Sequence, residues 1–316
     1  MKTATPPVVQ PPLFTGKRRS ETAARWVSTT GAAALLVVLA YMILRLFQTS
    51  WPVWKAHGVG WVFSSSWNPA AGVFGALPFI YGTVVTSAIA LVVATPIGIG
   101  TALFVSEVAP VKLRRPVASV LDLLAAVPSV IYGLWGILVF VPLIRPLQNW
   151  LATHFGGHIP FLAPPSPGPG FLAAGLVLAI MVLPTISAVS REVFLTIPQD
   201  VREAAYALGS TRWETIRIGV LPPARSGIIG GVILGLGRAL GETVAVLLVI
   251  GDTPTITKSL FSPGYSMAAV IANEFREASE PLHIEALIGI ALVLFLITVV
   301  IDMLARLLVH RTGARS

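Results

Sequence analysis

Arg238 and Glu242, four residues apart, interrupt a run of apolar and glycine residues otherwise suited to lipid. A charge near the centre of a bilayer costs roughly 3 kcal/mol or more, so both groups need compensation. Two chemistries supply it. One is an i,i+4 salt bridge that closes on itself. The other is an anion site in which Glu242 holds the guanidinium and Arg238 meets the solute. A planar fork donating two parallel charge-assisted hydrogen bonds suits a tetrahedral oxyanion better than a sugar or an amino acid. At about 100° per residue, with Gly227 as zero, Gly231 and Gly235 fall near ~40° and ~80°, Arg238 near ~20° and Glu242 near ~60°. Charges and helix-packing glycines therefore share a face, widened by Gly230, Gly237 and Gly241, and such small residues let helix backbones approach closely. This face is expected to look into protein, and Ala245 to face lipid.

A second cluster lies at residues 202–222, a polar island between apolar runs. Asp200 is placed to cap a first short helix, with Glu203 three residues on in capping-box spacing. Gly209 supplies a positive-φ stop. Thr211 and Glu214 repeat the capping pattern, and Pro222-Pro223 are expected to close the second helix because neither donates a backbone hydrogen bond. Arg212, Arg217 and Arg225 give the unit the basic look of a DNA-binding helix-turn-helix, but interleaved Glu203 and Glu214 and the flanking apolar runs argue against nucleic acid.

Other groups point to little chemistry. Asp122 lies inside the third apolar run, where a contact with a neighbour and a plain interfacial position are both open. Asp302 and Arg306 are spaced as an i,i+4 anchor at the end of the last run. His154 and His158 have helical metal spacing, but Gly156-Gly157 argues against a helix there, so no metal is expected. No phosphate-cradling Gly-rich loop followed by Lys and Ser or Thr occurs, and no hydrolase motif. With no cysteine, thiol chemistry is excluded. No cofactor is expected.

The elements that must position these groups are membrane spans. The chain is 55% hydrophobic and 11% charged, with mean hydropathy +0.81, a composition foreign to a soluble domain of this length. Apolar runs near 26–47, 77–105, 117–143, 171–190, 226–250 and 284–308 each reach the roughly 20 residues a spanning helix needs. Pro96 and Pro128 are expected to kink the second and third. The fold class is thus an all-α polytopic membrane protein with six transmembrane helices. Lys2, Lys17, Arg18, Arg19, Arg25, Lys112, Arg114, Arg115, five arginines from Arg191 to Arg225, Arg306, Arg311 and Arg315 all fall on one side, against Lys55, Arg145, Lys258 and Arg276, with Arg45 at the border, on the other. Positive charge on the inner side makes both termini cytoplasmic. The net charge of +8 is therefore a topology signal rather than a nucleic-acid footprint.

Residues 1–25 are expected to form a disordered cytoplasmic tail. Residues 26–76 are read as a retained first span followed by an outer interfacial segment, in which Trp51, Trp54, Trp61 and Trp67 favour the headgroup layer. A permease domain fills 77–309, with a cytoplasmic loop at 191–224. The Gly- and Pro-rich stretch around 157–170 is expected to be a structureless outer connection.

Glu203, Ala204, Ala205, Gly209, Leu221 and Pro222 occur in a spacing that resembles the signature loop of ABC importer permeases, with Gly219 departing from the apolar residue usual two positions before Leu221. Arg238-Ala-Leu-Gly-Glu242, Gly241 to Val246, Ser259 to Gly264 and Ile271 to Ala278 narrow the resemblance to C-type permease subunits of bacterial phosphate ABC importers. The A-type sister usually carries Gly-Glu-Thr-Ala-Pro where this chain has Gly241-Glu-Thr-Val-Ala245. The resemblance covers about residue 67 to the C-terminus. It implies a type I importer permease fold in the bacterial inner membrane, with no catalysis by this chain. It also implies docking of a separate ATPase dimer on the 200–222 loop, a heterodimer with an A-type permease and an extracytoplasmic phosphate-binding protein. A molybdate or sulfate permease stays open, since Arg238 would serve any tetrahedral oxyanion. A proton-coupled secondary transporter fits less well, because mid-membrane acids are sparse and no inverted repeat is found.

Overall fold

A backbone in lipid must satisfy every N–H and C=O internally. The computed structural model describes residues 17–163 and 168–313, and among these the only strand-like pairing is an isolated bridge between Asn68 and Val73. The remaining regular structure is helical: α1 (Lys17–His57), α2 (Leu77–Leu103), α3 (Val111–Ala126), α4 (Ser129–Trp135), α5 (Val141–Phe155), α6 (Phe171–Leu195), α7 (Gln199–Ala207), α8 (Arg212–Thr215), α9 (Leu221–Gly241), α10 (Val244–Ile250), α11 (Met267–Glu274) and α12 (Pro281–Gly313). Six stretches are long and apolar enough to cross a membrane: Ala24–His57, Leu77–Val108, Ser129–Phe155, Phe171–Leu195, Arg212–Gly241 and Pro281–Leu307.

The number of spans agrees with the sequence; several boundaries do not. The third span starts at Ser129, not near 117. Val127 is extended (ψ 128°) and Pro128 follows it, so the chain breaks there instead of kinking. The apolar residues before the break belong to α3, a separate amphipathic helix on which Asp122 is exposed. Nor does Pro222-Pro223 end a helix. α8 runs through a wide π turn, Ile216–Val220, directly into α9, with Pro222 in the first turn of that helix. The fifth span ends at Gly241, because Glu242 is extended (ψ 127°) and the chain restarts as α10.

Three π turns share one context. Phe104–Val108, Gly136–Phe140 and Ile216–Val220 each close with an N–H bonding five residues back, from Ala109, Val141 and Leu221. Each closing residue immediately precedes a proline: Pro110, Pro142 and Pro222. A proline ring clashes with the carbonyl four residues behind it and offers no N–H. The wide turn just upstream is where the ladder changes register.

Residues up to Gln48 form one unit and those from Thr49 another. The first contains the early part of α1, which begins inside the stretch expected to be a tail; residues 1–16 lie outside the described residues. Its apolar side chains, Trp26, Leu35 and Val38 among them, are exposed.

In the second unit α6 is the central helix, with Ala173, Val177, Met181, Val182 and Ile186 buried. α2 lays Thr86, Ala90, Ala94 and Gly98 into this core, each four residues from the next, as one helix face allows. Hydrophobic transfer supplies little drive between helices already in lipid, so close packing has to hold them. A second core surrounds Trp61, Phe74, Phe79, Tyr265 and Leu287. Trp61 is only 1% exposed, with its ring edge against Gly289 and Trp54 edge-on at 5.3 Å. It is therefore a core residue and not the headgroup anchor its composition predicts, while Trp51 stays exposed. Within the 157–170 stretch, Phe161 O accepts from Leu260 N at 2.9 Å, and Ala163 O from Ser259 Oγ at 2.6 Å, so its described first part is held rather than structureless.

Candidate functional site

The 199–222 segment builds from its own local chemistry. α7 follows Pro198, which takes the N-cap position without a side-chain bond; Asp200 sits in the first turn and does not cap it. A carboxylate there still favours the partial positive charge of the helix start. At the other end Ser210 N bonds to Ala205 O at 3.2 Å and Gly209 N to Tyr206 O at 2.9 Å, the paired bonds of a Schellman stop. Gly209 has φ 84°, as the stop requires, and nothing within 4 Å of where a Cβ would stand. Its need for glycine is conformational, not steric. Thr211 and Glu214 form a reciprocal capping box at the start of α8.

Of the residues singled out in the sequence, Glu203, Ala204 and Gly209 are exposed, Leu221 and Pro222 half-buried, and Ala205 buried. Around them stand Tyr206, Trp213, Ile218 and Leu208, the last 88% exposed. Exposed apolar ridges on a polar segment are the kind of surface at which proteins or membranes dock.

What holds the segment in place is an interaction the sequence does not announce. Arg202 reaches Glu107, at the end of the second span, through Nη2–Oε1 at 2.6 Å and Nε–Oε2 at 3.2 Å. Arg202 also donates to the carbonyls of Ile197 (2.7 Å) and Phe194 (3.0 Å), and Arg212 donates to the Glu107 carbonyl. The Glu107 hydrogen bond raises the basicity of Arg202 further. Both side chains are largely buried, at 14% and 11% exposure. Bidentate geometry with the remaining donors satisfied is the arrangement in which such a pair holds. The partners are 95 residues apart, so only their opposite charge was visible beforehand.

The α9 face divides in two. A Cβ on Gly227 would strike Val193, one on Gly231 would meet Val189, and one on Gly235 would come 2.8 Å from Ile186 and 2.9 Å from Val182. The contact residues on α6 descend as those on α9 ascend, so the two helices run antiparallel along a glycine seam. Gly230, Gly237 and Gly241, expected to widen this seam, have nothing within 4 Å. They lie along the flank of that seam, the side on which Leu234 and Arg238 are exposed.

Arg238 and Glu242 do not pair. Among the described residues the ion pairs are Arg191–Glu192, Arg202–Glu107 and His283–Glu274. The helix ends between the two groups, which removes the i,i+4 geometry: Arg238 is in the last turn of α9, where the terminal carbonyls favour a cation. Glu242 instead accepts from Ala245 N at 3.4 Å. Arg238 acts electrostatically on Tyr132, whose hydroxyl donates to Leu124 O at 2.8 Å. Ala245 is not lipid-facing; it is buried beside Gly133 of α4. Asp302 and Arg306, likewise, form no ion pair among the described residues.

A polar cluster gathers where α11 meets the loop after α10. Glu274 accepts from Trp67 Nε1 at 3.1 Å and pairs with His283 Nε2 at 3.0 Å, while Asn273 donates to the Tyr265 hydroxyl at 2.7 Å. Asp252 has φ 48°, next to Gly251 at 93°. It keeps contact with solvent, but the dense surround, and then the Glu274 charge, push its carboxyl up to about 6. No group of His, Cys, Asp and Glu with metal-holding geometry is found among the described residues.

Six apolar spans, one of them broken beside an exposed charge, and a polar segment bearing exposed apolar side chains are the frame of a polytopic membrane protein. The chain belongs to the family of binding-protein-dependent transport system inner membrane components, whose profile matches residues 94–314. It is therefore a multi-pass inner-membrane permease and not an enzyme; in this class ATP is hydrolysed by a separate subunit. The phosphate transport system permease protein PstC of Mesorhizobium japonicum is 45% identical, over 96% of this chain and 94% of that one. The protein of the same name from Pasteurella multocida is 46% identical, over 89% and 88%. Among solved structures, a bacterial alginate ABC transporter in complex with an alginate pentasaccharide-bound periplasmic protein superposes with TM-score 0.59 at 17% identity, covering 95% of this chain and 98% of that one, which shows the shared importer-permease fold.

Proposed function

We propose that this chain is the C-type permease subunit of an ATP-driven inorganic phosphate importer. The observation that carries the reading is Arg238. It is a permanently charged guanidinium, exposed on the open face of a broken span and free of any carboxylate partner, so its fork stays available to an oxyanion. The names of the relatives agree with phosphate as that oxyanion. Irregular backbone within a span is tolerated where it lines a cavity, which fits a path running beside the Gly241–Val244 break.

In this reading an A-type sister permease covers the row formed by Gly230, Leu234, Gly237 and Gly241, and the solute passes between the two subunits. Glu203, Ala204, Ala205 and Gly209, with Leu221 and Pro222 behind them, present the Leu208 and Trp213 ridge to an ATPase dimer. A phosphate-binding protein delivers solute on the opposite side. Both termini are cytoplasmic, on the positive-inside argument. Binding at one site biases the other because the Glu107–Arg202 pair ties the docking segment to the second span.

The test is phosphate uptake by assembled transporters carrying Arg238→Gln, with molybdate and sulfate as competitors. Uptake is expected to fall more than about tenfold, at least about 1.4 kcal/mol in barrier, while assembly survives. Because no ion pair is broken, this single change is interpretable. Near-normal uptake in an assembled variant defeats Arg238 as a solute contact, and stronger inhibition by molybdate or sulfate than by unlabelled phosphate reassigns the solute.

A further inference from the structure

A pocket of about 230 Å³ opens where the end of the second span, α3 and the end of α6 converge, and Arg114, Arg115 and Arg191 line it together with Ser106. Little of this charge is neutralised from within. Arg114 Nε donates to Ala109 O at 3.0 Å, a neutral partner. Arg191 shares Nη2 with Glu192, whose own side chain is 66% exposed, and its Nε is buried without a hydrogen-bond partner. Arg115 is exposed and makes no ion pair among the described residues. The nearby carboxylate of Glu107 is engaged by Arg202. Three guanidiniums around one pocket, with Arg191 Nε unpartnered, offer the charge-assisted donors that an oxyanion accepts from.

The remaining wall is apolar, with Val105, Ala118 and Leu195, and it sits at the ends of two spans, against α3. That is the level at which lipid headgroups lie, and basic pockets between spans on the positive side bind phosphate-bearing headgroups. We propose that this pocket binds a phosphate oxyanion, carried on the headgroup of an anionic phospholipid or present as free inorganic phosphate. Occupancy would tie α3 to α6 at Ser106, the residue before Glu107 of the Glu107–Arg202 pair. The site is separate from Arg238 and does not depend on which solute the transporter carries.

Arginine modification by phenylglyoxal, mapped by mass spectrometry on the intact transporter, tests this without any variant. In nanodiscs containing phosphatidylglycerol, Arg115 and Arg191 are expected to react at least threefold more slowly than in pure phosphatidylcholine, with exposed Arg306 as the internal reference. Protection in phosphatidylcholine discs on adding millimolar inorganic phosphate assigns the free ion instead. Equal reactivity in all three conditions, or equal slowing of Arg306, overturns the site. Arg115→Gln is the companion variant: retention of phosphatidylglycerol by native mass spectrometry, or of radiolabelled phosphate by dialysis, should fall at least fivefold. Unchanged retention by an assembled variant also overturns it, and if the variant does not assemble, the protection measurement decides.

Discussion

One helix, α9, carries two rows of glycine with opposite surroundings. Gly227, Gly231 and Gly235 are closed against α6, whereas a Cβ on Gly230, Gly237 or Gly241 would have nothing within 4 Å among the described residues. The same division recurs in the 199–222 segment, where Arg202 is locked to Glu107 while Leu208 and Trp213 stand exposed. Residue type does not distinguish finished from unfinished contacts; neighbours do. Variants in the finished set should damage the isolated chain, and variants in the unfinished set should spare the chain and lose a partner.

The largest effect is expected from Glu107→Ala, which strands the Arg202 guanidinium in a mostly buried position. Removing one member of a buried pair costs about 3–5 kcal/mol. The purified chain should show a lower thermal midpoint and a protease-sensitive 199–207 segment; a midpoint within a degree of the parent would mean that the latch is ornamental. Next comes the sharpest version of the comparison. Gly235→Leu drives a side chain into Ile186 and Val182, and overpacking of this kind costs about 1–3 kcal/mol. Gly237→Leu should leave the chain's own stability intact yet reduce recovery of the assembled permease pair. Equal loss of monomer stability in both would erase the distinction between the two rows.

A smaller effect is expected at Gly209→Val, where only the backbone objects, by about 1–2 kcal/mol for a side chain forced to φ 84°. Folding should survive while co-purification of the ATPase subunit falls; full recovery with normal transport would argue against the hinge. Smallest is Asp252→Asn. A carboxyl raised from 3.8 to about 6 binds its proton more tightly in the folded state, so stability is highest below about pH 4, declines as pH rises to about 6 and is level above. The asparagine variant should lose that decline, as judged by thermal midpoints between pH 4.5 and 7; an unchanged slope would assign the dependence elsewhere.

What could be read in the sequence was local. The Thr211–Glu214 box and the Gly209 stop involve neighbours within a few residues, and the structure reproduces both. The seam glycines follow from helical period alone. One local reading failed, since Pro198 takes the N-cap position expected of Asp200; the other failures came where a distant or register-dependent fact decided the outcome. Glu107 and Arg202 show no mutual signal across 95 residues. Pro222-Pro223 would stop a regular helix, but a π turn upstream let α8 continue into α9. Arg238 and Glu242 look paired only if the helix is unbroken, and the break at Glu242 is invisible in a run that remains apolar on both sides. Trp61 shows the same gap: an indole can serve headgroup or core, and Gly289 across the chain selects the core.

The wide turn at Ile216–Val220 also constrains chain length. It holds one residue more than an α-helical turn, so it sets the rotational phase of everything from Leu221 onward. Deleting a single residue there would turn α9 by about 100° and slide it by about 1.5 Å. Ile228, Val232 and Leu236 would then arrive where Gly227, Gly231 and Gly235 now meet Val193, Val189 and Ile186. Substitutions within the turn leave that phase alone; an indel of one residue does not, and exchanges a seam of glycines for a ridge of branched side chains.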